Sequence, residues 1–241
     1  MIKFKYLIKV KFLLVYTFFY LISNELAISQ SSRNEIFLNL ENGLNRRDLA
    51  VIKKYFGEKE SIKMKKRFVK IISDFPNSEW QIINKKSNKL NKDYADVKIL
   101  GSKIINGKEF IFESTFNYYY SLNDGKIDSG LIKNHLTTIR NDKSLVDITF
   151  SIPNNVLTGS KYEINIILNK PLEDSLIAGG IKSNQIDSII ENNIKLEPLV
   201  SGGIFKSTRA PAKPGIQIWS GIIAHPEGLI SFTKTVNIIE K

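Results

Sequence analysis

The chain has 241 residues, 35 basic and 24 acidic side chains, a formal net charge of +11 and no cysteine. The lack of cysteine excludes disulfides, cysteine metal sites and a lipoprotein anchor. Only six of the basic residues are arginine, the side chain that grips phosphate and guanine bidentately. The charge therefore does not predict nucleic-acid binding.

Residues 1–29 have the pattern of a secretory signal peptide. Four lysines precede an uncharged run from Phe12 to Ile22, and Ala27 and Ser29 are the small residues of a cleavage site. The run has 11 residues, whereas a membrane span requires about 20. An uncleaved anchor is thus the weaker alternative. We predict an exported bacterial protein of the periplasm or extracellular space, or of the thylakoid lumen if the source is cyanobacterial.

Helical periodicity marks the next segment of the chain. It predicts one helix over residues 34–45, a second after Asp48 that ends at Gly57, and a third from about Ser61 to Asp74. Met64 and Phe68 belong to the predicted buried stripe of the third helix. Its remaining positions are rich in lysine, which is typical of a solvated face and, as an alternative, of an anionic membrane or partner surface.

The period then changes from 3.6 to two, which predicts strands. Alternating residues follow Trp80 and Ala95, and a strand of about a dozen residues runs from Phe110 to Leu122. The helices followed by these strands predict an α+β domain over residues 30–143, with the helices packed on a curved antiparallel sheet.

The stretch ENGLNRRDLAVIKKYF, residues 41–56, resembles the opening of the nuclear transport factor 2-like superfamily. An apolar stripe, a short Asn/Asp break and a second stripe ending in an aromatic residue carry the resemblance. It covers residues 34–140 and implies a cystatin-like cone, in which the sheet curls around a pocket that the helices close.

The Asp124-Gly125 turn predicts which side chains line this pocket, because Asp-Gly is a favoured two-residue hairpin. Centring the hairpin there pairs Tyr118 with Leu131, and it places Lys133 and His135 on the concave face. The predicted pocket residues are Ser114, Phe116, Tyr118, Tyr120, Lys133 and His135.

His135 has two interpretations. The superfamily resemblance implies a base in the cone, and histidine transfers protons near neutral pH. A catalytic base needs an orienting partner, however, and Asp93 is the one acid with the right parity. A buried histidine satisfied by a neighbouring hydroxyl is the favoured interpretation. No metal site or cofactor is predicted, because the chain holds two histidines and no calcium-loop motif.

Residues 144–241 show short strands at about ten-residue spacing, punctuated by proline and glycine. This spacing predicts an antiparallel β-sandwich that resembles an immunoglobulin-like module of exported proteins. Trp219 is its predicted core tryptophan, and residues 185–192 are a predicted helical turn.

Three functional hypotheses follow from these patterns. The first is a non-enzymatic binding or scaffold protein that holds a small ligand or a partner in the cone. The second is an acid–base enzyme (an isomerase, dehydratase or hydrolase) that uses His135. The third is attachment to the envelope or to an anionic membrane surface through the basic helix 61–74.

Overall fold

The computed structural model describes residues 32–86, 93–141, 148–169, 176–185, 194–199, 202–226 and 228–241. The predicted signal peptide, the predicted domain boundary at residues 143–144 and most of the predicted helical turn at 185–192 lie outside these residues. None of the helices in the described ranges has both the length and the apolar character needed to cross a membrane.

Three helices form within a few residues of their predicted positions: α1 at residues 32–45, α2 at Ala50–Tyr55 and α3 at Glu58–Asp74. The break between α1 and α2 contains Arg47, which has a positive φ of 63°. Its guanidinium donates to the carbonyl oxygens of Pro76 and Ser78 at 2.7 Å. The polar break therefore ties the first two helices to the chain that leaves α3.

Twelve strands follow the helices in the part of the chain that the structure describes. They are β1 Glu79–Lys85, β2 Tyr94–Ile105, β3 Lys108–Asn123, β4 Lys126–Asn141, β5 Ile148–Ser151, β6 Asn155–Leu157, β7 Lys161–Leu168, β8 Ala178–Gln185, β9 Glu197–Pro198, β10 Gly203–Arg209, β11 Gly215–His225 and β12 Gly228–Ile239. The Asp124-Gly125 turn joins β3 to β4 as predicted, and Asp124 and Gly125 both have the positive φ of a type I′ hairpin.

One large sheet runs through both halves of the chain. Its strand order is β1-β2-β3-β4-β12-β11-β8-β9, and β6 pairs in parallel with the end of β12. The junction is the antiparallel pairing of Gly228–Thr233 in β12 with His135–Arg140 in β4. A second sheet, in the order β10-β7-β5, has three strands among the described residues.

The predicted fold class, a helix-covered cone followed by a separate immunoglobulin-like sandwich, is wrong. Of the described residues 59% lie in strands and 21% in helices, and nine strands belong to one sheet. In the predicted cone, β4 is an edge strand with one unpaired side. In the structure β12 pairs with that side of β4, so the sheet continues into the C-terminal half of the chain. Alternation along a strand shows which residues share a face, but it does not show which strand lies beside it.

The two halves of the sheet bury opposite faces. The helices cover one face of β1–β4 and form a first core that contains Phe37, Phe68 and Trp80. The small sheet covers the other face of β11 and β12 and forms a second core around Trp219 and Phe232. Strand β4 serves both cores: Ile132 and Ile139 pack against the first and Leu136 against the second.

Candidate functional site

Five of the six predicted pocket residues lie on the helix-covered face of β3 and β4. Ser114, Tyr118 and Tyr120 alternate along β3 and are 3%, 3% and 6% exposed. His135 approaches Ser114 from β4, with 3.2 Å between its Nε2 and the Ser114 hydroxyl oxygen. Phe116 lies edge-on to the imidazole at a centroid distance of 6.0 Å. These five side chains therefore share one face, although their strand partners differ from those predicted.

The predicted register holds only next to the turn. Tyr118 pairs with Ile132 rather than Leu131, and Ser114 pairs with Thr137 rather than His135. Two irregularities in β4 cause the shift, one at Asp128 and one at Asn134, which has a φ of +51°. Each adds one residue to β4 relative to β3, so together they restore the facing of His135.

His135 is satisfied by hydroxyl groups. Its Nε2 lies 2.8 Å from the Thr137 hydroxyl, which in turn lies 2.8 Å from the Ser114 hydroxyl. Burial, together with the nearby Arg67 guanidinium, lowers the pKa of His135 to about 4. The imidazole is therefore neutral at pH 7 and is a weak base. Its described contacts are those of a hydrogen-bonded core histidine rather than of a base oriented by a carboxylate.

A buried carboxylate that the sequence reasoning missed lies nearby. Glu60 is 3% exposed, accepts a hydrogen bond from the Tyr118 hydroxyl at 3.1 Å and pairs with Lys63 at 2.9 Å. Burial and the Glu60 carboxylate raise the pKa of Tyr118 far above its usual value. The signal was available, because Glu60 precedes Met64 by four residues and so shares its buried helical stripe.

Asp93, the acid predicted to face the same side as His135, lies at the end of the sheet instead. It forms an ion pair with Arg33 of α1. Tyr120 lies close to this pair and donates to Asn84 at 2.7 Å, while burial raises its pKa to about 12. These contacts close the end of the helix layer over β1 to β3.

Aromatic rings fill the space between the helices and the sheet. Tilted or stacked pairs join the two layers at centroid distances of 4.4 to 6.3 Å: Phe37–Tyr120, Phe56–Tyr118, Phe68–Trp80 and Phe75–Phe112. Among the described residues, one depression of about 380 Å³ lies at the end of this layer, where α1, α2 and the β3–β4 turn meet, and its lining includes Ile36, Tyr55 and Leu122 but none of the predicted pocket residues. Within this packing Ser114, Tyr118 and Tyr120 are buried and His135 is half-buried.

Lys133 does not join this cluster, and its predicted position on the helix-covered face is wrong. It pairs with Asn117, and its ammonium lies 4.7 Å from the ring centroid of Tyr119. Tyr119 alternates with the buried Tyr118 and Tyr120, so it belongs to the opposite face. The first irregularity in β4 lies between Lys133 and the turn, and it reverses the predicted facing of Lys133.

This opposite, outer face of β1–β4 carries a hydrogen-bonded row of side chains. Asp96 pairs with Lys85 and accepts from Asn117 at 2.6 Å. Asn117 in turn accepts from Asn134 at 2.9 Å. The four side chains come from β1, β2, β3 and β4, so the row crosses all four strands. We call these four residues the outer row.

Two stacked tyrosines flank the outer row. The rings of Tyr94 and Tyr119 are 5.1 Å apart at an interplanar angle of 22°. Tyr94 lies two residues before Asp96 and Tyr119 two residues after Asn117, so both rings share the face of the row. Two ion pairs lie on the same face, Lys85 with Asp96 and Lys98 with Glu113.

A groove of about 330 Å³ lies on this face. Asp96, Asn117 and Asn134 line it together with side chains of β1 to β3, which are Gln81, Ile83, Lys98 and Thr115. The left-handed conformation of Asn134 is uncommon outside glycine and is a feature of bulges that re-aim a side chain. Alternation alone predicted this face as polar and gave no sign of a groove.

A larger depression of about 700 Å³ lies where β8 and β9 approach β10. Its walls include Gly180, Lys195 and Phe205. The ion pair of Lys195 with Glu197 is 86% and 66% exposed at its two side chains, so it orders this wall weakly. The adjoining residues 186–193 and 200–201 lie outside the described ranges, and we assign no site there.

No group of three metal-ligating side chains occurs within the described ranges. Residues 143–239 match the sequence profile of a family described as a domain of unknown function, DUF8623. This match covers the C-terminal part of the chain, including β12, which completes the sheet beside β4. A search of the curated proteins gave no match to the chain.

Proposed function

We propose that this chain is an exported, non-enzymatic binding protein that holds a neutral glycan strand on the outer face of β1–β4. The observation that carries the proposal is the outer row, in which one set of polar contacts orders four side chains, and three of them, Asp96, Asn117 and Asn134, line a groove. The signal-peptide pattern of residues 1–29 supports export to a compartment where glycans are abundant.

The composition of the outer row favours a polyhydroxylated ligand. Sugar hydroxyls both donate and accept hydrogen bonds, and the groove offers amides, a carboxylate and the Thr115 hydroxyl. An amide has two donors and two acceptor lone pairs, so Asn117 and Asn134 keep capacity for a ligand while they order each other. The hydrogen bonds within the row lower the entropic cost of binding, because the side chains are already positioned.

The charge balance separates a neutral ligand from a charged one. Lys85 and Lys98 pair with carboxylates, and the Lys133 ammonium lies against the Tyr119 ring. The described lining of the groove contains a single lysine, Lys98, and not the cluster of cations that a polyanion would require. The stacked rings of Tyr94 and Tyr119, with the Lys133 ammonium over Tyr119, form an amphipathic border beside the groove.

The position of the groove disfavours a peptide strand. Extended peptides bind by adding to the edge of a sheet, where main-chain groups are available. The groove lies instead on the face of β2 and β3, whose main-chain groups pair with neighbouring strands on both sides. A ligand there meets side chains only.

The test is titration calorimetry of the mature protein with soluble oligomers of N-acetylglucosamine and of glucose, and with an acidic uronic-acid oligomer for comparison. We expect a neutral oligomer to bind with little dependence on salt. Asn117→Ala removes the middle of the row and should weaken binding roughly tenfold, because the hydrogen bonds lost contribute about 1 to 1.5 kcal/mol.

The matched control is Asn123→Ala, at the exposed end of the same strand, which should bind as the wild type does. A lack of binding to both neutral oligomers, or equal binding by the two variants, would contradict the assignment. Chromatography of the oligomer after incubation checks the non-enzymatic part: we expect it to be recovered at full length, and shortened products would contradict a purely binding role.

A further inference from the structure

We infer that the exposed face of α3 docks on an anionic lipid surface. Five exposed lysines lie on the outward side of this helix, Lys59, Lys63, Lys65, Lys66 and Lys70, whereas Arg67 lies near His135 and Tyr118 on the side toward the sheet. Glu60 pairs with Lys63 and Asp74 with Lys70. Lys59, Lys65 and Lys66 belong to none of the described ion pairs, and they outnumber the remaining acid of the helix, the exposed Glu58. A dense positive face of this kind attracts negatively charged headgroups.

Two apolar side chains point outward among these cations. Ile62 is 66% exposed and Val69 is 46% exposed. They are seven residues apart, so they lie two turns from each other on one line of the helix, opposite the buried Met64 and Phe68. Lys66 lies between them on the same line. Apolar residues inside a basic patch suit a membrane interface, into which they insert while the lysines contact the headgroups.

The geometry is compatible with the glycan groove. The buried side of α3 packs on the inner face of the sheet, where Phe75 stacks on Phe112 at 4.4 Å. The outer row is on the other face of the same strands, so a membrane beneath α3 leaves the groove directed away from the bilayer. The inference concerns a separate surface and does not depend on the proposed glycan ligand.

Vesicle sedimentation of the mature protein tests the inference. The probes are vesicles of phosphatidylcholine alone and vesicles in which part of the lipid is phosphatidylglycerol. We expect binding to the anionic vesicles that weakens as salt is raised, since salt screens exposed charges. Equal binding to both vesicle types, or no binding to either, would overturn the inference.

Two variants assign the binding to α3. Lys65 and Lys66 belong to none of the described ion pairs, so replacing both by Gln leaves the helix contacts intact, and binding should fall roughly fivefold per lysine removed. Ile62→Ser should weaken binding several-fold even at high salt, because it removes apolar contact rather than charge.

The matched controls lie in the hairpin of β2 and β3, outside α3. Lys103→Gln with Lys108→Gln removes two exposed lysines there, and Ile104→Ser removes a 72% exposed isoleucine. Controls that bind as the wild type does support docking by α3. A loss in the controls equal to that in the α3 variants would instead show non-specific attraction and overturn the inference. Circular dichroism confirms that all variants are folded.

Discussion

The helix-covered half of the large sheet and its sheet-covered half bury their apolar side chains on opposite faces of the sheet. In β1–β4 the rings of Phe37, Phe68 and Trp80 belong to a core beneath three helices. In β11 and β12 Trp219 and Phe232 belong to a core beneath the small sheet. The covered face changes where β4 meets β12, so within the described residues the outer face of β1–β4 has no layer of helices or strands over it. In the first half that uncovered face carries the outer row.

Both halves also use a glycine to admit a ring from a neighbouring strand. A Cβ at Gly221 would lie 2.2 Å from the Phe232 ring, and a Cβ at Gly130 would lie 2.0 Å from the Tyr118 hydroxyl oxygen. The two rings differ in freedom, because Phe232 is fully enclosed at 1% exposure whereas Tyr118 ends at the polar Glu60.

Gly221→Ala should have the largest effect. The Phe232 ring has no room to move in the second core, so we expect the free energy of unfolding to fall by about 3 kcal/mol or more. Urea unfolding followed by tryptophan fluorescence measures this. Gly215→Ala, where a Cβ meets nothing within 4 Å, is the control and should change the free energy by less than about 0.5 kcal/mol. Equal effects at the two positions would contradict the packing described for this half.

Gly130→Ala should cost less, about 2 to 3 kcal/mol, since the Tyr118 side chain is displaced toward a polar neighbour. The hydrogen bond from Tyr118 to Glu60 would be lost in this variant. Because one sheet runs through both halves, we expect Gly130→Ala and Gly221→Ala to shift a single unfolding transition. If the protein instead shows two unfolding transitions and each variant shifts a different one, the halves unfold independently despite the pairing of β4 with β12.

Titration of His135 should have the smallest of these effects on the free energy of unfolding, and this effect depends on pH. Its pKa is about 4 in the folded chain and about 6.5 when unfolded, so the unfolded state binds more protons between these values. Stability from the neutral imidazole is complete above about pH 6.5 and is lost as the pH falls toward 4. Between about pH 7.5 and pH 5 we expect the wild type to lose about 2 kcal/mol more than His135→Gln, which cannot titrate.

Urea unfolding of both proteins at the two pH values gives this difference, and the change at other acidic groups cancels between them. Parallel pH dependence of wild type and variant would mean that the imidazole is solvated rather than held among Ser114, Thr137 and Phe116.

The sequence was sufficient wherever the signal is local. The three helices, the hairpin at Asp124-Gly125 and the shared face of Ser114, Tyr118 and His135 follow from periodicity and turn chemistry. The prediction from sequence failed where the structure depends on single irregularities. The residues around Asn134 alternate in the sequence as in an ordinary strand, yet the bulge there shifts the pairing of β4 with β3.

The sheet itself depends on long-range pairing, which leaves no local trace. Leu136 alternates with Thr137 as any strand residues do, but the partner of this segment is β12, almost a hundred residues later. The outer row was missed for the same reason. Its members are ordinary polar residues on four strands, and only the register of the sheet brings Asp96, Asn117 and Asn134 within hydrogen-bonding distance.

Nuclear magnetic resonance of the mature protein with a neutral oligosaccharide tests most directly whether the ligand lies on the outer face. The side-chain amide signals of Asn117 and Asn134 should shift as the oligosaccharide is added, while the imidazole signals of His135 stay in place. Shifts at His135 with unchanged amide signals would contradict the account, because they would place the ligand among the helices instead.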